Sequence, residues 1–195
     1  MALSRYTCLS VCLFAILPTF ASSAGTAHGE TVWKFKGGGN PATQGWTEST
    51  DKAASAPGKL VNKAWRIEDD DDSGPEWRSY ELKLNDNQRD RARGEGFTYR
   101  WRVRIAKETG RTTRAIGAEV AVRRKNGKSK LRFIVQMGRR GNKLLGRMWR
   151  NDQTSVQHSM QVKDAGGFHN WDLSFDGKSQ TVNLRVDGRL LMALR

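Results

Sequence analysis

The chain has 195 residues, with 34 lysines and arginines against 20 aspartates and glutamates, a formal net charge of +14. Such an excess implies attraction to polyanions, whether acidic polysaccharide, anionic cell envelope or nucleic acid, and charge alone does not choose among them. Both cysteines, Cys8 and Cys12, precede Ala24, which excludes disulfide staples and thiolate metal ligands from everything after it.

Residues 1–24 read as an export signal. Arg5 supplies the positive start, Tyr6 to Phe20 is largely apolar but short for a bilayer span, and Ala21-Ser22-Ser23-Ala24 offers small residues for cleavage near Ala24. Pro18 ends the apolar run early, so no transmembrane span is expected in the mature protein. Neither cysteine stands at the end of the apolar run, where an acylated one belongs. Removing the signal takes away one charged residue, Arg5, so the basic excess survives export. The expected location is extracellular, periplasmic or at the cell surface. Residues 25–30 form a short spacer, and 31–195 suffice for a single domain with its own core.

Thr31 to Lys36 reads as a first strand, followed by the glycine-rich loop Gly37-Gly38-Gly39-Asn40-Pro41, which lacks the Lys-Ser/Thr of a phosphate-binding loop. Further strands are predicted at Leu60 to Ile67, Trp77 to Leu84, Phe97 to Ile105, Ala115 to Arg124 and Lys130 to Met137. Lys143 to Trp149, Ser155 to Val162, Phe168 to Phe175, Thr181 to Asp187 and Leu190 to Leu194 complete the set. No stretch keeps a helical period; Asn85 to Arg93 is short and polar and earns a turn or two at most. Asn126-Gly127, Asp176-Gly177 and Asp187-Gly188, with Gly141-Asn142 as a weaker fourth, accept the positive φ of tight hairpins. Short strands at near-regular spacing without intervening helices predict an all-β fold, an antiparallel β-sandwich or jelly roll. The seven tryptophans are spread along the chain, which suits core and rim packing.

One run stands out. In Phe97-Thr98-Tyr99-Arg100-Trp101-Arg102-Val103-Arg104-Ile105 every odd position is apolar and three of the four even ones are arginine. A pleated strand would set Phe97, Tyr99, Trp101, Val103 and Ile105 against a core and line up Arg100, Arg102 and Arg104 outside.

The run Phe168 to Gly177, in which a strand ends in Asp176-Gly177, precedes Val182 to Gly188, which ends in Asp187-Gly188. This pair resembles the penultimate strands of concanavalin A-like lectin/glucanase domains of the laminin-G and pentraxin kind. Ala64-Trp65-Arg66-Ile67, an acidic loop and then Trp77 to Leu84 are similar to the early strands of lectin-like modules that accompany bacterial sialidases. The resemblance spans about Thr31 to Arg195. It implies two curved antiparallel sheets, with a glycan on the concave face or at the loop rim. Such domains continue beyond the hairpin corresponding to Asp187-Gly188, so the expectation is a sandwich that lacks its last strands or completes itself in reduced form.

The candidate ligand-binding residues are Arg100, Arg102 and Arg104, grouped on one concave face with Arg132, Gln136, Arg147, Trp149 and Arg185 from other strands. Arginine's planar fork suits carboxylate or sulfate, and Trp149 offers a stacking surface for a sugar ring. The plain alternative is a solvated sheet face balanced by cross-strand acids such as Glu119. No cofactor is expected. The acidic run Glu68-Asp69-Asp70-Asp71-Asp72 offers oxygen ligands of the kind calcium takes, but Ser73-Gly74-Pro75 follows, and a solvated loop accounts for it better. Its pattern Glu68-x-Asp70-x-x-Ser73 lacks the last acid of the Glu-x-Asp-x-x-Glu strand that laminarinase-type hydrolases of that fold use. Ser174-Phe175-Asp176-Gly177 imitates the start of a sialidase Ser-x-Asp-x-Gly-x-x-Trp box with the glycine one place early and no tryptophan. His28, His158 and His169 lack zinc spacing, and no Gly-x-Ser-x-Gly elbow marks a nucleophile. No catalytic residue is therefore assigned. The reading is a secreted, non-catalytic, lectin-like domain for acidic glycans, with nucleic acid bound only nonspecifically. Its rival is an accessory or truncated part of an exported sialidase, glycoside hydrolase or polysaccharide lyase.

Overall fold

The computed structural model describes residues 11–13, 39–50, 58–67, 78–105, 116–123, 130–150 and 155–195. In chain order these form β1 (Val11–Leu13), a 3-10 turn (Pro41–Gln44), β2 (Thr47–Thr50), β3 (Lys59–Val61), β4 (Ala64–Ile67), β5 (Arg78–Glu81) and α1 (Asp86–Gly94). Then come β6 (Gly96–Arg104), β7 (Ile116–Arg123), β8 (Lys130–Arg140), β9 (Lys143–Arg150), β10 (Val156–Gln161), β11 (Phe168–Asp176), β12 (Thr181–Val186) and β13 (Arg189–Leu194).

The all-β expectation holds. Two four-stranded antiparallel sheets, ordered β13-β12-β11-β6 and β10-β9-β8-β7, pack face to face. Alternation decides which side of each strand faces in: Trp101 and Val103 of β6, Phe133, Val135 and Met137 of β8, and Trp171, Leu173 and Phe175 of β11 are all buried. The sheets meet where Phe133 and Phe175 lie 5.3 Å apart and where the Trp101 indole N–H reaches Met137 Sδ at 3.1 Å. Each such side chain contributes roughly 1.5–3 kcal/mol by leaving water. Against this, the indole N–H of fully buried Trp171 has no hydrogen-bond partner among the described residues, a cost of about 1–3 kcal/mol that the surrounding burial outweighs. A β-bulge between Leu184 and Arg185 lets Leu191 and Met192, consecutive in β13, both turn inward.

β3 and β4 pair with each other, and β4 also pairs with β1, which lies within the segment read as an export signal. β2 and β5 form a separate ribbon.

Several elements differ from the sequence reading. Leu60 to Ile67 is a hairpin, not one strand, because Asn62 and Lys63 take φ of 50° and 63° and reverse the chain in two residues. α1 is longer than expected, nine residues, since Asn85 and Gln88 close a reciprocal capping box at its start. Asp176-Gly177 is not a two-residue turn: Asp176 pairs with Thr181 across residues 177–180, and the positive φ falls at Gln180. Gly177 is required there for space, as a Cβ would lie 2.3 Å from the Gly94 carbonyl oxygen at the end of α1. Asp187-Gly188 makes the tight hairpin expected of it, with φ of 48° and 77°. Gly141 alone of its pair has positive φ, as a glycine-first turn requires. The first predicted strand, Thr31 to Lys36, and the Asn126-Gly127 turn lie outside the described residues.

Gly96, where α1 gives way to β6, has φ of +106°, and a Cβ there would fall 2.1 Å from the backbone oxygen of Phe175. Gly96→Ala is therefore expected to cost about 3 kcal/mol or more, read as a lowered urea midpoint at unchanged slope. A variant within about 0.5 kcal/mol of the parent chain would show that this junction relaxes freely.

Candidate functional site

The eight sequence-selected residues do not share one groove. Arg100, Arg102 and Arg104 lie on the outer face of the β6 sheet, joined there by Arg185 of β12. Arg132, Gln136, Arg147 and Trp149 lie on the outer face of the β8–β9 sheet, on the far side of the sandwich. Alternation tells in from out along one strand, but not which sheet the strand joins.

The β6 side holds a coherent cationic surface. Register places Arg104 beside Phe168, Arg102 beside Asn170, and Arg100 beside Asp172, which in turn faces Arg185. The next rows are Thr98, Ser174 and Asn183, then Asp176 and Thr181. The face thus runs from guanidinium at one end to hydroxyl, amide and the Asp176 carboxylate at the other.

Each arginine is steered by a neighbour. Arg100 Nε bonds Asp172 Oδ1 at 2.8 Å; Arg104 Nε donates to the Gly166 carbonyl at 2.8 Å; Arg185 donates to the Gly188 carbonyl at 3.3 Å. The Arg102 guanidinium lies 5.2 Å over the Phe168 ring. Carbonyls and rings orient a guanidinium without cancelling its charge. The Asp172 carboxylate stands between Arg100 and Arg185, and the Asp187 carboxylate holds the Asn170 N–H beside Arg102.

The opposite face is more nearly closed on itself. Arg132 pairs with Glu119 through two bonds of 2.7 and 2.9 Å, the cross-strand balance that the sequence allowed for. Arg147 donates to Ser155 Oγ at 2.6 Å and covers the Trp149 ring at 4.6 Å, so one face of that tryptophan is already taken by its own neighbour. Gln136 Oε1 is buried and has no hydrogen-bond partner among the described residues.

Sequence reasoning missed one site. His169 faces inward at the end of β11, and its ring nitrogens lie 2.7 Å from Asp187 Oδ2 and 2.7 Å from the Asp164 carbonyl. The same Asp187 carboxylate accepts the Asn170 N–H through its other oxygen. His169 therefore ties three segments: the turn before β11, β11 itself and the β12–β13 hairpin. Both bonds form only when both ring nitrogens carry protons. With Nε2 engaged by a carbonyl, the His169–Asp187 pair presents no free ring nitrogen to a nucleophile. The legible hint was the alternation of β11, which puts a histidine at an inward position.

Among the described residues no cluster of histidine, cysteine and acidic side chains could hold a metal ion, and no helix is long and apolar enough to cross a membrane. The acidic run considered for calcium lies outside the described residues, as does His28. Neither a family model, nor a curated protein, nor a solved structure matches the chain.

Replacing His169 by Leu strands two acceptors and is expected to destabilise the fold by roughly 1–3 kcal/mol, measured by urea unfolding. An unchanged midpoint would mean that the three segments hold together without it.

Two described groups carry shifted titrations. Asp176 Oδ1 accepts the backbone N–H groups of Lys178 and Ser179, which hold its carboxyl below the ordinary 3.8. Burial pushes the Tyr99 phenol above its ordinary 10.0. The folded value for Asp176 lies below the unfolded one, so its contribution is full above the unfolded value and fades as pH falls through the folded value. For Tyr99 the folded value is the higher, so its contribution is full below the unfolded value and fades as pH rises through the folded one. Thermal midpoints against pH are expected to show both shoulders. Asp176→Asn should flatten the acid one and Tyr99→Phe the alkaline one; shoulders indifferent to these changes would assign them elsewhere.

Proposed function

We propose that this chain is an exported, non-catalytic, lectin-like β-sandwich of the concanavalin A-like kind, which binds acidic glycans on the outer face of the sheet formed by β6, β11, β12 and β13. The observation that carries the reading is the graded face itself: Arg100, Arg102, Arg104 and Arg185 beside Asn170, Ser174, Asn183 and Thr98. An acidic sugar needs both kinds of group. Its carboxylate or sulfate takes the guanidinium fork, and its hydroxyls take amide and hydroxyl partners.

The row is cheap to hold and attracts an anion. Alternate residues of a strand stand about 6.7 Å apart, a separation at which two like charges in water repel by about 0.6 kcal/mol. Long arginine side chains splay to lessen this, so the row costs the fold little, and the core bears it easily. A bound anion reverses the sign at every arginine it touches. Because the contacts are ionic and exposed, raised salt weakens them.

The separation of the two faces supplies the control. A glycan-array screen should identify acidic ligands for the wild type, and titration calorimetry then compares Arg102→Ala/Arg104→Ala with Arg147→Ala on the far face. The double variant is expected to lose about tenfold or more in affinity, about 1.4 kcal/mol, while Arg147→Ala stays within about twofold. Equal binding by all three proteins, or the loss falling on Arg147→Ala, would refute the assignment. Binding to neutral and acidic glycans alike at any salt would refute the charge mechanism.

A further inference from the structure

We propose that Asp172 is a specificity-determining residue of this face, restricting it to ligands in which an isolated anionic group stands beside hydroxyls and disfavouring densely charged polymers such as nucleic acid. The proposal rests on the reading above of the arginine face as a glycan site.

Asp172 occupies the middle of an Arg–Asp–Arg row. Register sets Arg100 opposite it on β6 and Arg185 opposite it on β12. Directly paired residues on antiparallel strands lie about 4.5–5.5 Å apart, so the carboxylate sits close to both guanidinium bases. It is held there by Arg100 Nε at 2.8 Å and is 23% exposed against 56% for Arg100. A largely covered carboxylate held by Arg100 fixes an acceptor at the centre of a positive surface.

Consider what each class of ligand meets. A ligand with one anionic group can seat it over Arg102 and Arg104, which lie one and two rows from Asp172 and three and four from Asp176 on β11. Its neighbouring hydroxyls then fall toward Asp172, Ser174 and Asn183, where the carboxylate accepts a hydroxyl hydrogen bond of the strong, charge-assisted kind. Duplex DNA carries a charge for about every 1.7 Å of its axis, so it cannot lie along the row without setting phosphates against Asp172. The surface therefore rejects the polymer through a repulsive element and accepts the sugar through the same atom.

The test compares two probes, a hyaluronan oligosaccharide, with one carboxylate per disaccharide, and a short DNA duplex, on wild type, Asp172→Asn and Asn183→Asp. Asp172→Asn is expected to shift the ratio of DNA to oligosaccharide affinity by about tenfold toward DNA, with the salt slope for DNA steepened by about one. Asn183→Asp, which adds a carboxylate in the adjacent row, is expected to move the ratio the other way, and so keeps the test open if Asp172→Asn folds poorly. An unchanged ratio in both variants, with Arg102→Ala/Arg104→Ala still losing the oligosaccharide, overturns the role of Asp172 and leaves the arginine site standing. If the double arginine variant binds the oligosaccharide as the wild type does, the site reading falls and this proposal with it.

Discussion

The contact on which the rest depends is Trp101 against Trp171. They are direct partners across the β6–β11 ladder, both buried, with rings 6.4 Å apart and nearly parallel. Nine consecutive pairs follow from that one alignment, from Gly96 opposite Asp176 to Arg104 opposite Phe168. A slip of β6 by one residue would bury Arg100 and Arg102 and expose Trp101. Stripping a guanidinium of water costs several kcal/mol, and an indole returned to water loses a few more, so the alternative register is far out of reach. The arginine row is outside because the tryptophans are inside.

That alignment also explains which features were legible in the sequence. Period-two alternation in Phe97 to Ile105 and in Phe168 to Phe175 marked both strands and their inward faces, because one side of each is buried and the other wet. It could not show that β6 pairs with β11, more than sixty positions along the chain, rather than with β7 beside it in sequence. The grouping of Arg132, Gln136, Arg147 and Trp149 with the β6 arginines failed on that point. Those four belong to a run of sequential hairpins, β7 to β10, that forms the other sheet.

Local signals were stronger than the reading made of them. Asn85-x-x-Gln88 is a capping box, and its reciprocal bonds start a helix whose polar composition gave no amphipathic signal. Asp176-Gly177 has the composition of a tight turn, yet the Asp176 carboxylate ties the Lys178 and Ser179 N–H groups and so shapes a longer loop around the end of α1. Asn62 and Lys63 hide a hairpin behind a residue, lysine, that rarely takes positive φ. In each case a side chain or an unusual dihedral decided the geometry, where composition and periodicity are silent.

The distribution of charge in space carries more information than its total. A net charge of +14 describes a protein that any polyanion would attract, yet the basic residues are not spread as a uniform coat. On the β8–β9 side the Glu119 carboxylate engages Arg132, so part of the charge there is balanced within the sheet. On the β6 side Arg104 and Arg185 are oriented by carbonyl oxygens, which leave the charge intact, and the Asp172 carboxylate stands between Arg100 and Arg185. A surface built only for nonspecific attraction gains nothing from that carboxylate, which weakens it toward every polyanion. A surface that must read spacing does gain, because the acid converts a field into a pattern. On the glycan-binding reading proposed above, the placement of Asp172 favours recognition over adhesion.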